Sequence, residues 1–115
     1  MSDLIDLQKR VIDFRDARDW EQFHNPKDLA VSLLLEAAEF LEHFQWKSAD
    51  EIKNHLKGKG KDVNEELMDV LYWVLLIAHD LKIDIAKEFD RKMRQNEAKY
   101  PITKAKGRHT KYTNL

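Results

Sequence analysis

The sequence predicts an all-α protein, on three observations. The 115-residue chain holds three Gly and two Pro, so long stretches lack the residues that break helices. Apolar residues recur at three- and four-residue steps, the period of one helix face. Helix-start signals stand ahead of the periodic segments. At this length the chain is expected to form one domain with room for a core.

Five helices follow in order. The first runs from about Asp3 to Asp19, with Leu4, Leu7, Val11 and Phe14 on one face. The loop "WEQFHNP" separates it from the second, where Asn25 suits the N-cap and Pro26 the first helical position. That helix is expected to reach about Trp46. Ser48-Ala-Asp-Glu51 has the form of a capping box for a short third helix ending before Gly58. "GKGK" reads as a flexible cationic turn. Asp62-Val-Asn-Glu65 repeats the capping logic and opens a fourth helix to about Leu81. The fifth runs from about Asp84 to Tyr100, and Pro101 stops it. Helix four is apolar on nearly every side between Val70 and Leu81, so it must be covered on every side. The expectation is a bundle of four main helices plus a short one, completed by oligomerisation as a homodimer or homotetramer.

Composition excludes several classes of function. There is no cysteine, hence no disulfide framework and no thiolate metal site, which fits a cytoplasmic protein. The sequence shows no apolar leader with a cleavage pattern, and the longest apolar run, Val70 to Ala78, is too short to span a bilayer. A membrane partner is therefore not expected. Of 20 basic and 21 acidic residues, Lys104, Lys106, Arg108 and Lys111 lie in residues 101–115 and no acid does. Residues 1–100 thus carry 16 basic and 21 acidic groups, a net of −5, which makes a poor nucleic-acid binder. Residues 1–101 are expected as the working domain and residues 102–115 as a solvated basic tail.

Four acids stand out. Along helix two the core stripe runs Leu29, Leu33, Glu36, Phe40; along helix four it runs Val63, Glu66, Val70, Trp73, Ile77. Glu39 and Asp69 lie three residues beyond the two glutamates, so each pair projects from one face with Cβ atoms roughly 5–6 Å apart. Surface helices are full of E-x-x-E, and Glu42 reads as solvent-facing and Glu65 as part of a cap. Two pairs on apolar stripes are different. Buried carboxylates on neighbouring helices repel one another unless a cation lies between them. The donor set is oxygen only, and the Glu-x-x-His step of di-iron bundles is absent. That speaks against a di-metal redox protein and for Mg²⁺, with Mn²⁺ as a substitute. The non-enzymatic alternative is a helical dimerisation or regulatory module whose acids face solvent.

The segments "LLLEAAEFLEHFQWK" and "NEELMDVLYWVLLIAHDLKIDI" resemble the MazG-like family of all-α nucleoside triphosphate pyrophosphohydrolases, whose pattern is E-x-x-E followed by E-x-x-D. "ARDWEQFHNPKDLA", "FQWK" and "KMRQNEAKYP" resemble its dCTP pyrophosphatase branch, over roughly Phe14 to Pro101. The resemblance implies cleavage of the α–β phosphoanhydride of a deoxynucleoside triphosphate, in nucleotide-pool housecleaning. It also implies Mg²⁺ held by Glu36, Glu39, Glu66 and Asp69, and a site completed in an oligomer. Glu36 and Glu39 are joint candidates for the catalytic base. Trp20, Phe23, His24 and Trp46 are implied as substrate residues, with Trp73 beside them, and Lys92 and Asn96 as phosphate ligands. Arg94 and Lys99 are weaker candidates for the same task. The dCTP branch has tyrosine at the position of Trp73 and histidine at that of Val11, so this chain departs from it in the substrate pocket.

Overall fold

In the computed structural model, residues 3–115 are described, and they are all-α: five α-helices, four of them long, with no strand among the described residues. Helix α1 spans Leu4–Ala17, α2 Pro26–Glu42, α3 Ala49–Asp80, α4 Ile85–Lys99 and α5 Ile102–Ala105. Of the expected caps, Asn25 and Ser48 stand at helix starts, and Asp3 and Asp84 cap the other two long helices. Asp3, Asn25, Ser48 and Asp84 each accept a backbone N–H from three residues on, and Ser48 with Glu51 completes a capping box. No helix is long and apolar enough to cross a membrane.

Two boundaries differ from the expectation. Helix α2 ends at Glu42, and Trp46 lies beyond it in the left-handed region at φ 67°. The "GKGK" segment does separate two helical stretches, but within the span Ala49–Asp80 it does so as a kink at one non-helical residue, Lys59 (φ −125°, ψ 20°), rather than as an open turn. A glycine in a helix costs about 1 kcal/mol relative to alanine. That weakens the segment into a kink but does not stop a helix whose two halves are both favoured. Asp62 accordingly caps nothing.

The chain forms two compact units, Met1–Lys82 and Ile83–Leu115. In the first, α1 and α2 both pack on α3, around a small core of Leu29, Val63, Leu75, Leu76 and Ala78. Helix α1 is tied to α3 by polar contacts as well. The Gln8 side-chain amide donates to the Leu75 carbonyl at 2.9 Å, and one guanidinium nitrogen of Arg15 donates to both Asp80 carboxylate oxygens at 2.8 and 2.7 Å. Arg15 is 1% exposed. The stripes of α2 and α3 are buried or half-buried throughout, whereas apolar residues off the stripes, Val31, Leu34, Leu35 and Leu41 on α2 and Leu67, Met68 and Val74 on α3, are exposed.

The second unit includes the basic residues 102–115. They contain α5 and a 3₁₀ turn, Tyr112–Asn114. Tyr112 meets Tyr100 edge-to-face at 5.9 Å, and the Lys99 ammonium lies 4.7 Å from the Tyr112 ring centre.

Candidate functional site

The seam between α2 and α3 carries the acids. Glu36 and Glu39 occupy successive turns of α2, and Glu66 and Asp69 successive turns of α3 past the kink. One carboxylate oxygen each from Glu36, Glu39 and Glu66 lies within 4.8 Å of the others. Asp69 is outside that tight group but lines the same cavity as Glu36. Glu36 Oε2 and Glu66 Oε2 are buried and make no hydrogen bond. Both glutamates are pushed above the ordinary carboxylate range, first by desolvation, then by contact with Glu39 and the charge of Asp69.

These are the properties expected of a cation cage. Oxygen ligands about 2.1 Å from a common centre lie roughly 3–4 Å apart from one another, within the spread seen here. The orphaned oxygens and the raised proton affinities are what a divalent ion would relieve. The donors present, all carboxylate, fit a hard cation.

Two cavities open on either side of the acids. The larger, about 580 Å³, is lined by Glu36 and Asp69 and by apolar and aromatic groups, among them Val11 and Phe14 from α1, Trp20 from the loop after it, and Tyr72 and Trp73 from α3. Its aromatic wall is built edge-to-face. Phe14 meets Trp20 at 5.6 Å and Tyr72 at 6.1 Å, and Tyr72 meets Trp73 at 5.1 Å. The Arg18 guanidinium caps Phe14 at 3.7 Å. The smaller cavity, about 430 Å³, is polar and lined by Glu39, Glu42, His43, Lys47, His55 and Glu66.

Of the aromatic residues singled out in the sequence, Trp20 and Trp73 line the larger cavity. His24 stands against Trp73 at 5.9 Å, half-buried, with Nδ1 unpartnered. Phe23 and Trp46 line neither cavity, and Trp46 is 92% exposed. Lys92 and Asn96 lie on α4, in the second unit. Sequence reasoning missed Tyr72 and took Phe14 for core. A helix-period pattern marks both as apolar without saying that the facing position is empty. The polar cavity was missed too, because His43 and His55 lie twelve residues apart on different helices and fit no ligand spacing.

Comparison with known proteins agrees with this arrangement. The model of the MazG-like family matches residues 31–115. The chain is 36% identical over 114 residues to dCTP pyrophosphatase 1 of Rattus norvegicus, covering 97% of this chain and 67% of that protein. To dCTP pyrophosphatase 1 of Homo sapiens it is 34% identical over the same shares. A pyrophosphatase from Archaeoglobus fulgidus superimposes with a TM-score of 0.80 at 40% identity, over 88% of this chain and 94% of that one.

Proposed function

The chain belongs to the MazG-like family of nucleotide pyrophosphatases, and from that premise we propose that it hydrolyses deoxynucleoside triphosphates of the dCTP type to monophosphate and pyrophosphate. The observation that carries the proposal is the acid seam standing against an aromatic cavity. A nucleotide has the same two ends: phosphates that need cationic neutralisation and a flat base that needs an apolar slot.

Glu36, Glu39, Glu66 and Asp69 would hold Mg²⁺, or Mn²⁺ in its place. When bound, the cation neutralises phosphate charge and makes water more acidic. Glu36 or Glu39 accepts the proton of the water that attacks the α-phosphorus, and pyrophosphate departs.

The base enters between Trp20 and Trp73, with Tyr72 and Phe14 behind them, and His24 steadies Trp73 from the side. Resemblance to proteins named for dCTP supports a cytosine-type base. Val11 and Trp73, where that branch has histidine and tyrosine, make this slot more apolar. Phe23, and Lys92 and Asn96 as phosphate ligands, are proposed on the resemblance alone, with residues 1–101 as the catalytic domain.

Trp46 is assigned through assembly. Its ring is 92% exposed and lines neither cavity of its own chain, and Leu34, Leu35, Leu67 and Met68 are likewise uncovered. A second copy covering these residues brings Trp46 to a neighbour's base slot and removes apolar surface from water.

The test is a panel of the four dNTPs and their ribose counterparts with Mg²⁺, read by chromatography of products. Monophosphate and pyrophosphate in equal amounts, fastest from dCTP or a close analogue, are expected. Orthophosphate as sole inorganic product, or no turnover of any member, refutes the proposal.

A further inference from the structure

Helix α1 gives the aromatic cavity one positive charge. Arg10 lies three residues after Leu7 and four before Phe14, and that spacing puts all three on one face of the helix. All three line the cavity, whose other charged residues are Glu36 and Asp69. We propose that Arg10 is a nucleotide-binding residue, whose guanidinium holds the α-phosphate of the substrate and of the monophosphate product.

The partners that Arg10 leaves alone are a second observation, independent of the cavity wall. Asp6 stands four residues before it and Asp13 three after it, the spacings at which ion pairs form along a helix. Arg10 pairs with neither, and Asp13 is held instead by Lys9 at 2.9 Å. The other arginines of this region are engaged, Arg15 with Asp80 and Arg18 with the Phe14 carbonyl and ring. Among the described residues the Arg10 side chain makes no hydrogen bond and no ion pair. Its five donors are open to a ligand.

The choice of phosphate over base edge rests on the reading under Proposed function, in which the base lies among the aromatic rings and the phosphates reach the acids. One cavity is lined by both, so a nucleotide laid across it carries its α-phosphate at the junction, and the leaving pyrophosphate extends beyond. Ionised oxygens accept charge-assisted hydrogen bonds, roughly twice as strong as those to the neutral acceptors of a base. The planar guanidinium also matches two phosphate oxygens at once, which an ammonium does not. Glu36 and Asp69 repel a phosphate, and Arg10 is the residue of the same wall whose charge opposes that repulsion.

Affinity for phosphate is then separable from stacking of the base. Arg10 grips the α-phosphate before and after the anhydride is cut, so its loss raises KM and weakens product binding more than it lowers kcat.

The experiment titrates the full chain, with Mg²⁺ present, with dCMP and separately with deoxycytidine, read by quenching of tryptophan fluorescence, since Trp20 and Trp73 line the cavity. Arg10→Met keeps the apolar stem and removes the fork. It is expected to weaken dCMP binding about tenfold or more, the scale of a hydrogen bond to a charged group, and to leave deoxycytidine binding within about twofold. Arg10→Lys should recover part of the loss, because the charge returns without the fork. Helicity and melting temperature should stay at wild-type values in both variants, as expected for an exposed position. Unchanged dCMP binding in Arg10→Met overturns the inference, and so does an equal loss for deoxycytidine, which would place Arg10 at the base or in packing. Quenching by neither ligand in the wild type overturns it as well. If dCMP binds through Arg10 but no dNTP is hydrolysed, the functional reading fails and the phosphate contact stands.

Discussion

Asp80→Asn removes one charge from the contact that fastens α1 to α3 and keeps the side-chain shape. Arg15 is 1% exposed and the Asp80 side chain 23% exposed, with both carboxylate oxygens within 2.8 Å of one guanidinium nitrogen. Breaking a buried pair by removing one partner costs about 3–5 kcal/mol, because the other charge is left without compensation. Partial exposure of Asp80, and the Asp16 carboxylate that remains 3.4 Å from Arg15 Nε, lower that to about 2–3 kcal/mol here. For a chain of this size the melting temperature then falls by about 8–12 °C. Urea unfolding of the metal-free protein should show the same loss with an unchanged slope. Function follows from the same contact. Helix α1 supplies Leu7, Val11 and Phe14 to the aromatic cavity, so a looser α1 should raise KM more than it lowers kcat. A loss under about 0.5 kcal/mol, the scale of an exposed pair, would show that Arg15 is not held by this contact and refute the reasoning. The double change Arg15→Met with Asp80→Leu should recover much of the stability, since it leaves no buried charge behind.

The other expectations concern the acids and the aromatic wall. Glu36→Gln should lower turnover at least about 100-fold, beyond the effect of most outer-shell changes, while metal-free stability at neutral pH holds or rises; unfolding of the apo variant with activity spared would make Glu36 a structural residue. Glu36 and Glu66 have folded-state pKa values above their unfolded ones, so the folded chain holds protons that the unfolded chain releases. Their stabilising contribution is present at low pH and is lost as pH rises through the folded values. Without metal, melting curves should therefore improve on acidification from neutrality toward the upper carboxylate range, with a smaller improvement in Glu36→Gln; equal slopes in the two proteins would contradict the coupling. Trp73→Ala should raise KM for the preferred dNTP about 5- to 100-fold, since stacking of one base on an aromatic ring is worth about 1–3 kcal/mol, and an unchanged KM would remove Trp73 from the base slot.

The helical class and the N-caps were legible because they depend on neighbours within one turn. Asp3, Asn25, Ser48 and Asp84 all cap as their local sequence implies. The "GKGK" segment was legible as a break but not as a kink one residue long, because glycine signals only a weak preference and the flanking turns stay helical on both sides of Lys59. Glu36 and Glu66 were legible as acids on an apolar stripe, and their oxygens do approach one another. The cavities were not. Whether Phe14 and Tyr72 face packed neighbours or open space depends on how α1 lies against α3, which a buried arginine helps to set. Arg15 itself gives no periodic signal, being one charge among many on α1. The His43–His55 contact is likewise a product of packing, joining a helix end to the middle of the next helix.

Acids on the same two helices meet different surroundings: of the four in the seam Glu39 and Asp69 are exposed, while Glu36 and Glu66 form its half-buried floor. Glu42 and Glu65 are exposed. Glu36 and Glu66 are half-buried, each with an oxygen that finds no donor. A protein with no use for that arrangement would place amide or apolar side chains at both positions, since replacing repelling carboxylates in a seam raises stability. Retaining them makes the metal-free seam the weakest part of the contact between α2 and α3. On the proposed reading the cation reverses this, turning the repulsion into coordination, so that stability of the seam and readiness for phosphate depend on the same ion. Folding and function would then respond together to the free Mg²⁺ concentration, and a melting temperature that ignores millimolar Mg²⁺ is incompatible with the cage.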